Sequence, residues 1–191
     1  MSLGETLHAT GSDGVQRAKR WLELTGRARV PWQRYESLHT PYLTFARPGG
    51  NEFSFDLGGY LTGDPFNNVQ FLAEVKKYQE AGDQHVLYQE YLAKCYRAAS
   101  IRGPFEFMWI TWHPFQVGEW RDLCGAAKVR ASVEMHRSAY LEEGEGLDES
   151  LCAGIAERLW LIVLSEKQES LCLTSEMMAV IRGEEERRAV R

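Results

Sequence analysis

The stretch FSFDLGGYLTGDPFNNVQFLAEVKKY, residues 53–78, reads as two apolar strands joined by a turn. Its centre, residues 62–68, consists largely of Gly, Asp, Pro and Asn, which favour turns. Each apolar run nevertheless carries charge, with Asp56 in the first run and Glu74 and Lys76 in the second. Charged side chains inside two apolar strands predict either a functional site or a solvated strand face.

The spacing of these three charges predicts that they meet. A hairpin that closes symmetrically about Pro65 pairs position 56 with position 74. Directly opposed residues of an antiparallel pair point to the same face, with Cα atoms about 4.5–5.5 Å apart. Strand alternation adds Lys76 to the same face, since it follows Glu74 by two residues. We expect the phenylalanines and valines of both strands to lie on the other face.

Two carboxylates and an ammonium in one patch suit the chemistry of phosphodiester hydrolysis. Two adjacent carboxylates repel each other, which raises the pKa of one of them unless a cation lies between them. Mg²⁺ relieves that repulsion and is held in proteins by one or two carboxylates while it keeps several waters. A nearby lysine can orient a metal-bound water or stabilise charge on a phosphate. The alternative interpretation is an exposed ion-pair cluster that contributes little to stability.

The remainder of the chain predicts alternating helices and strands. We expect helices over residues 13–24, capped by Ser12 or Asp13 and ended by Gly26, and over residues 84–100, 149–156 and from Thr174 or Ser175 onward. A buried strand is expected over residues 105–112, and residues 158–165 form another apolar run; residues 128–140 suggest a strand or irregular structure. This order predicts an α/β fold with a mixed central sheet flanked by helices.

Composition places the chain among single-domain globular proteins. It has 191 residues, a net charge of −5 and four scattered cysteines without metal-ligand spacing, which indicates reduced thiols in a cytoplasmic protein. No run is long and apolar enough for a membrane span, and the start lacks the features of a secretory signal. Residues 1–50 carry seven Lys and Arg against four Asp and Glu, whereas residues 140–191 carry six against twelve. A basic N-terminal third could contact phosphates.

The same residues resemble a known family. Asp56 followed by Glu74-Val75-Lys76 in the strand QFLAEVKKY resembles the PD-(D/E)xK nuclease superfamily, which has the restriction-endonuclease-like fold. The core of that family is a helix, a three-stranded antiparallel meander, a second helix and a further strand. The resemblance covers residues 1–115, and residues 116–191 are then a C-terminal α/β extension of the same domain.

The resemblance implies a role for each matching residue. Asp56 and Glu74 would be metal ligands, with the backbone carbonyl of Val75 as a third, and Lys76 would be the catalytic lysine together with the two carboxylates. Many members carry a glutamate in the first helix that adds to the metal site. The matching position here is Gln16, which brings no charge.

A second accessory position follows from the RecB-like branch of the family, whose members carry a glutamine in the helix after the ExK motif. Gln84 and Gln89 are the two candidates for this position, and either can instead be a surface residue. No other cofactor-binding motif is present.

The resulting expectation is an Mg²⁺-dependent or Mn²⁺-dependent endonuclease that acts on nucleic acid, with DNA as the substrate. The acidic C-terminal region would mediate homodimerisation or docking of a partner protein. The alternative is a catalytically inactive member of the fold that serves as an interaction module in a defence or repair complex. The net charge and Gln16 favour the alternative, and the intact set of Asp56, Glu74 and Lys76 favours the enzyme.

Overall fold

The computed structural model describes residues 3–34, 36, 38, 40–66, 68–77 and 82–189. The helices are α1 (Leu3–Leu24), α2 (Thr40–Leu43), α3 (Gln84–Arg102), α4 (Ala126–Met135), α5 (Arg137–Tyr140), α6 (Glu149–Ala156), α7 (Glu166–Glu169) and α8 (Ser175–Ala189). The strands are β1 (Ala28–Gln33), β2 (Thr44–Ala46), β3 (Glu52–Ser54), β4 (Leu57–Leu61), β5 (Val69–Lys76), β6 (Glu106–Thr111) and β7 (Leu159–Val163).

The central sheet has five strands in the order β1-β4-β5-β6-β7, and β2 and β3 form a separate two-stranded sheet. The pairs β1–β4 and β4–β5 are antiparallel. The pairs β5–β6 and β6–β7 are parallel, and α3 connects β5 to β6. The protein is therefore an α/β protein with a mixed sheet flanked by helices, as the sequence predicted.

The predicted register of the central hairpin is confirmed. Leu57 pairs with Ala73 and Leu61 with Val69, so the hairpin is symmetric about position 65. The first strand is nevertheless shorter than predicted. It breaks at Asp56, and residues 52–54 turn away to pair with β2. Asp56 therefore lies at the junction between the two sheets, where its backbone N–H still donates to the carbonyl of Ala73 at 3.0 Å.

Two apolar clusters cover the two faces of the central sheet. The α3 face includes Leu72, Phe107 and Trp109, packed with side chains of α3, α4 and α6. The α1 face includes Phe71, Ala73, Val75, Met108 and Ile110, packed with Val15, Ala18 and Leu22 of α1. Strand alternation places Asp56, Glu74 and Lys76 on the α3 face.

The expectation that all apolar side chains of the hairpin avoid the charged face is right for Phe71 and Val75 and wrong for Phe53 and Phe55. Both phenylalanines pack in the cluster of the α3 face, where Phe55 contacts the ring of Tyr91 edge-on. The physical reason is the break at Asp56, which ends the strict alternation of the first strand.

Helix α1 begins at Leu3, so the predicted start at Ser12 or Asp13 is wrong. An interior glycine costs a helix only about 1 kcal/mol relative to alanine, so Gly11 and Gly14 do not end it. Gly14 also allows α1 to approach β5 closely, because a Cβ there would lie 2.7 Å from Cβ of Lys77. The helix ends two residues before Gly26, as expected.

Residues 128–140 are helical, which contradicts the expected strand or irregular structure. Val129, Ser132 and Val133 are buried at helical spacing, and this period outweighs the strand preference of the valines. The later predictions are confirmed. Asp148 caps α6 by accepting from the N–H groups of Ser150 and Leu151.

The C-terminal part of the chain contributes to the central sheet. The apolar run at residues 158–165 forms β7, which pairs in parallel with β6, and the last helix begins at Ser175. The four cysteines are all free. Within the described ranges, no helix has the length and apolar character required to cross a bilayer.

Candidate active site

The candidate site lies on the α3 face, where the C-terminal part of β5 meets the start of β4. Asp56 precedes β4, and Glu74 and Lys76 belong to the last three residues of β5. Asp56 is 5% exposed and Glu74 is 3% exposed, so neither is a solvated surface charge. The structure therefore brings together the three residues on which the sequence interpretation depends.

Each carboxylate has one oxygen held closely by the protein. Asp56 Oδ2 accepts a hydrogen bond from the backbone N–H of Val75 at 2.9 Å, and Oδ1 lies 3.5 Å from Nη1 of Arg34. Glu74 Oε1 lies 2.8 Å from Nζ of Lys76 and 3.5 Å from Nζ of Lys94. Glu74 Oε2 is buried and has no hydrogen-bond partner among the described residues.

The surroundings of the two carboxyl groups shift their pKa values in opposite directions. Burial, and then the negative charge of Glu74, raises the pKa of Asp56 to about 6, against weaker opposing effects of Lys76, the Val75 N–H and Arg34. Burial also raises the pKa of Glu74, but Lys94 and Lys76 together lower it further, so its net direction is downward. Glu74 therefore ionises more readily than Asp56, and its negative charge is one cause of the raised pKa of Asp56.

Stability should therefore fall with rising pH because of Asp56. Its pKa is raised on folding, so the folded state retains a proton that the unfolded state loses above about pH 4. The loss develops from about pH 4 to pH 7, and the difference between about 6 and 3.8 corresponds to about 3 kcal/mol. We expect Asp56→Asn to stabilise the protein at pH 8 in EDTA by up to that amount and to have little effect at pH 4. Urea unfolding at both pH values checks this, and an equal effect at both would contradict it.

The donor set fits one hard divalent cation. Two carboxylate oxygens are available for it: Oε2 of Glu74, which has no hydrogen-bond partner among the described residues, and Oδ1 of Asp56, which lies 3.5 Å from Arg34. Mg²⁺ prefers such oxygens and completes its shell with water. Within the described residues, no three side chains of His, Cys, Asp or Glu come together. The two carboxylates fit the ligand preference of one such ion.

Sequence reasoning missed two cations of the site. Arg34 follows β1 directly, and its backbone N–H donates to the carbonyl of Asp56 at 3.0 Å. Lys94 lies on α3, and its side chain is only 14% exposed. The sequence feature that indicates Lys94 is its position in the apolar segment YLAKCY, where Tyr91, Leu92 and Cys95 are all buried.

The accessory glutamines take different positions. Gln16 donates from Nε2 to Oε1 of Gln33 at 2.8 Å, and Gln33 in turn donates to Glu36 at 2.6 Å. Gln16 is thus held in an amide chain beside the end of β1. Gln84 is fully buried, accepts from the hydroxyl of Thr111 at 2.7 Å and so ties the start of α3 to the end of β6.

Gln89 is half-buried on α3, five residues after Gln84. Of the two candidates, Gln84 is the one that contacts the region of the site. Its partner Thr111 is directly opposite Lys76 in the parallel pair of β5 and β6. Its hydrogen bonds indicate a role in positioning α3 against the sheet.

Two buried aromatic residues lie beneath the charged groups. Trp109 is opposite Glu74 in the parallel pair of β5 and β6, and its ring centroid lies 6.0 Å from Nζ of Lys76. The ring of Tyr91 lies 5.2 Å from that of Trp109. The indole N–H of Trp109 has no hydrogen-bond partner among the described residues, and the Tyr91 hydroxyl interacts with the thiol of Cys95. Aromatic rings therefore line this part of the site, and the indole N–H of Trp109 is a polar group among them.

Comparisons with protein-family models, with curated proteins and with solved structures find no match for this chain. The function is therefore inferred from the geometry of Asp56, Glu74, Lys76 and their surroundings.

Proposed function

We propose that this protein is a metal-dependent nuclease that hydrolyses DNA phosphodiester bonds with Mg²⁺ or Mn²⁺. The observation that carries the proposal is the convergence of Asp56, Glu74 and Lys76 at one end of a buried antiparallel pair. The order of elements supports it. Helix α1, the meander β1-β4-β5, helix α3 and strand β6 follow the order of the restriction-endonuclease-like core.

The residues of the site have separate roles in this proposal. Asp56, Glu74 and the carbonyl of Val75 would hold the ion, which when bound supplies charge neutralisation at the phosphate and an activated water. Lys76 is fixed by its 2.8 Å contact with Glu74. From there its ammonium stabilises negative charge on the phosphate oxygens and orients the attacking water.

One observation favours the alternative, an inactive interaction module. Arg34, Lys76 and Lys94 lie beside the two carboxylates, so the five side chains already sum to +1 when all are ionised. A site that is balanced by its own cations can be stable without an ion. The enzyme proposal requires that an ion compete with these cations for the free oxygens.

Metal binding is tested directly by thermal unfolding. Mg²⁺ or Mn²⁺ should stabilise the wild-type protein, since an ion that binds only the folded state contributes about 2.7 kcal/mol at 100 times its Kd. Asp56→Asn should remove this gain, because it replaces an anionic ligand with a neutral amide. Asp64→Asn changes the same charge at an exposed position in the β4–β5 turn and should retain the gain. An ion-dependent shift of equal size in Asp56→Asn would place the ion elsewhere.

Cleavage is tested with end-labelled single-stranded and duplex DNA, with RNA as a third substrate. The purified wild-type protein should cut DNA in Mg²⁺ or Mn²⁺ and not in EDTA. Cleavage of RNA alone would change the substrate class. If the protein binds the ion but cuts none of the three nucleic acids, the interaction-module alternative replaces the enzyme proposal.

A further inference from the structure

Beside the candidate site, β1 and β4 carry a row of aromatic and cationic side chains, which we call the β1 platform. It consists of Arg29, Trp32, Arg34, Tyr42 and Tyr60. These residues were not part of any motif identified in the sequence, and the proposed chemistry does not use them as ligands or as the catalytic lysine.

The register places Arg29, Trp32 and Tyr60 on the same face as Asp56. Arg29 is opposite Tyr60, and Trp32 is opposite Gly58, with an irregularity of β1 between the two pairs. Residues 56, 58 and 60 alternate with residues of the other face, so they share a side of the sheet. Along β4 the rise of about 3.3 Å per residue puts position 58 roughly 7 Å and Tyr60 roughly 13 Å from Asp56.

Glycine allows the tryptophan to lie against the sheet. A Cβ at Gly58 would lie 2.7 Å from Cδ2 of Leu43 and 3.2 Å from Cε3 of Trp32, so Leu43 and the indole ring together occupy the space above the glycine. Tyr42, on α2, stacks on Trp32 with ring centroids 4.7 Å apart and planes 5° from parallel. The ring of Tyr60 lies 5.2 Å from that of Trp32.

The outer part of this aromatic stack is accessible. Tyr42 is 53% exposed although it is a large aromatic residue, while Trp32 and Tyr60 are half-buried. Cations lie on both sides of the stack along β1. Arg29 is exposed, and the side chain of Arg34 is 50% exposed while its guanidinium reaches the carboxylate of Asp56.

We propose, on the basis of the nuclease function proposed above, that the β1 platform binds a single-stranded segment of the DNA substrate. One base stacks on the open face of Tyr42, and the phosphates on either side lie against Arg29 and Arg34. Arg34 belongs to the platform and also contacts Asp56, so a phosphate bound at Arg34 lies beside the candidate ion site.

The chemistry of the platform selects a single strand over a duplex. A flat aromatic ring binds the face of a base, and this face is available only when the base is unstacked. Two cations on either side of an aromatic stack can each contact a phosphate, because the backbone of a single strand is flexible. With a net charge of −5, the chain has little excess positive charge with which to bind duplex DNA through its phosphates alone.

The test measures binding in EDTA, so that it does not depend on cleavage. The probe is fluorescein-labelled oligothymidylate of about 12 nucleotides, within the site sizes of aromatic single-strand platforms, and the readout is fluorescence anisotropy. Tyr42→Ala should weaken binding about tenfold, because one stacked base is lost, whereas Tyr42→Phe should bind like the wild type. Trp160→Ala removes a partly exposed aromatic from β7, at the opposite edge of the central sheet, and should have no effect.

The cations are tested by salt dependence between about 50 and 200 mM. Arg29→Gln should lower the slope of log affinity against log salt by about 0.7, the value for one phosphate contact on a single strand. Arg130→Gln makes the same charge change on α4 and should leave the slope unchanged.

The outcomes separate this proposal from the proposed function. Tyr42-dependent binding in EDTA without cleavage in Mg²⁺ or Mn²⁺ supports the platform and contradicts the nuclease. Metal-dependent cleavage together with equal oligothymidylate affinity of wild type and Tyr42→Ala overturns the platform alone. Absence of wild-type binding, or tighter binding of duplex DNA with no effect of Tyr42→Ala, also overturns it.

Discussion

Replacing Lys76 with alanine is expected to lower the rate of metal-dependent DNA cleavage by about 10²–10⁴, the usual contribution of a positioned proton-transfer or charge-stabilising group. Its ammonium lies 2.8 Å from Glu74 Oε1 at the last position of β5. The fold should be retained, because Lys94 still lies 3.5 Å from Oε1 of Glu74 and offsets its charge. The measurement is single-turnover cleavage with the circular dichroism spectrum and melting temperature of the same sample.

Lys77→Ala is the matched control. It removes the same side chain one residue later, where alternation directs Lys77 to the opposite side and its ammonium pairs with Asp13 of α1. This variant should cleave DNA at nearly the wild-type rate. Equal losses in the two variants would indicate that general basicity of this strand end, and not the position of Lys76, supports cleavage. Full activity of Lys76→Ala would contradict the proposed role.

Glu74→Gln is expected to destabilise the protein by about 3–5 kcal/mol, the typical cost of removing one partner from a buried ion pair. Lys76 and Lys94 would both lose their carboxylate, and their side chains are only 18% and 14% exposed. Because Asp56→Asn should instead stabilise the protein in EDTA at pH 8, isosteric changes of two neighbouring carboxyl groups should have opposite signs.

Urea unfolding of both variants in EDTA at pH 8 measures the contrast. The double variant Glu74→Gln/Lys94→Met tests the cause, since removal of the second ammonium should recover part of the stability lost in Glu74→Gln. If Glu74→Gln costs less than about 1 kcal/mol, Glu74 is not the counter-charge of the two lysines. Such a small cost would also contradict the explanation that Lys94 and Lys76 lower the pKa of Glu74.

The hairpin was predictable because its determinants are local. Symmetry about Pro65 and the period of a strand are enough to place Asp56 opposite Glu74, and the observed register is the one that this symmetry predicts. The same locality explains why Lys76 was found. Its partner is two residues away on the same strand, and no tertiary information is needed to bring the two together.

The cations that complete the site were not predictable in the same way. Lys94 is twenty residues from Glu74, and its approach depends on how α3 packs across β5 and β6. Arg34 reaches Asp56 only because β1 pairs with β4 in a particular register that includes an irregularity. Such contacts follow from the packing of whole elements, for which the period of a single segment carries no information.

The errors have a related cause. The break at Asp56 places Phe53 in a second sheet and Phe55 in the apolar cluster of the α3 face, although the alternating pattern of residues 53–57 continues through it. In α4, the helical spacing of the buried residues outweighs the strand preference of the valines. In both cases one local preference is overridden by a stronger determinant of structure.

The irregularity in β1 has a consequence for how molecules of this protein meet one another. As a terminal strand of the central sheet, β1 has a free side that could pair with a strand of another molecule. Pro31 has no N–H to donate and lies in the gap between the paired residues Arg29 and Trp32. The proline, the irregular register and the exposed arginine together oppose continuous pairing with another strand. We therefore expect this edge to resist strand-to-strand aggregation at high protein concentration.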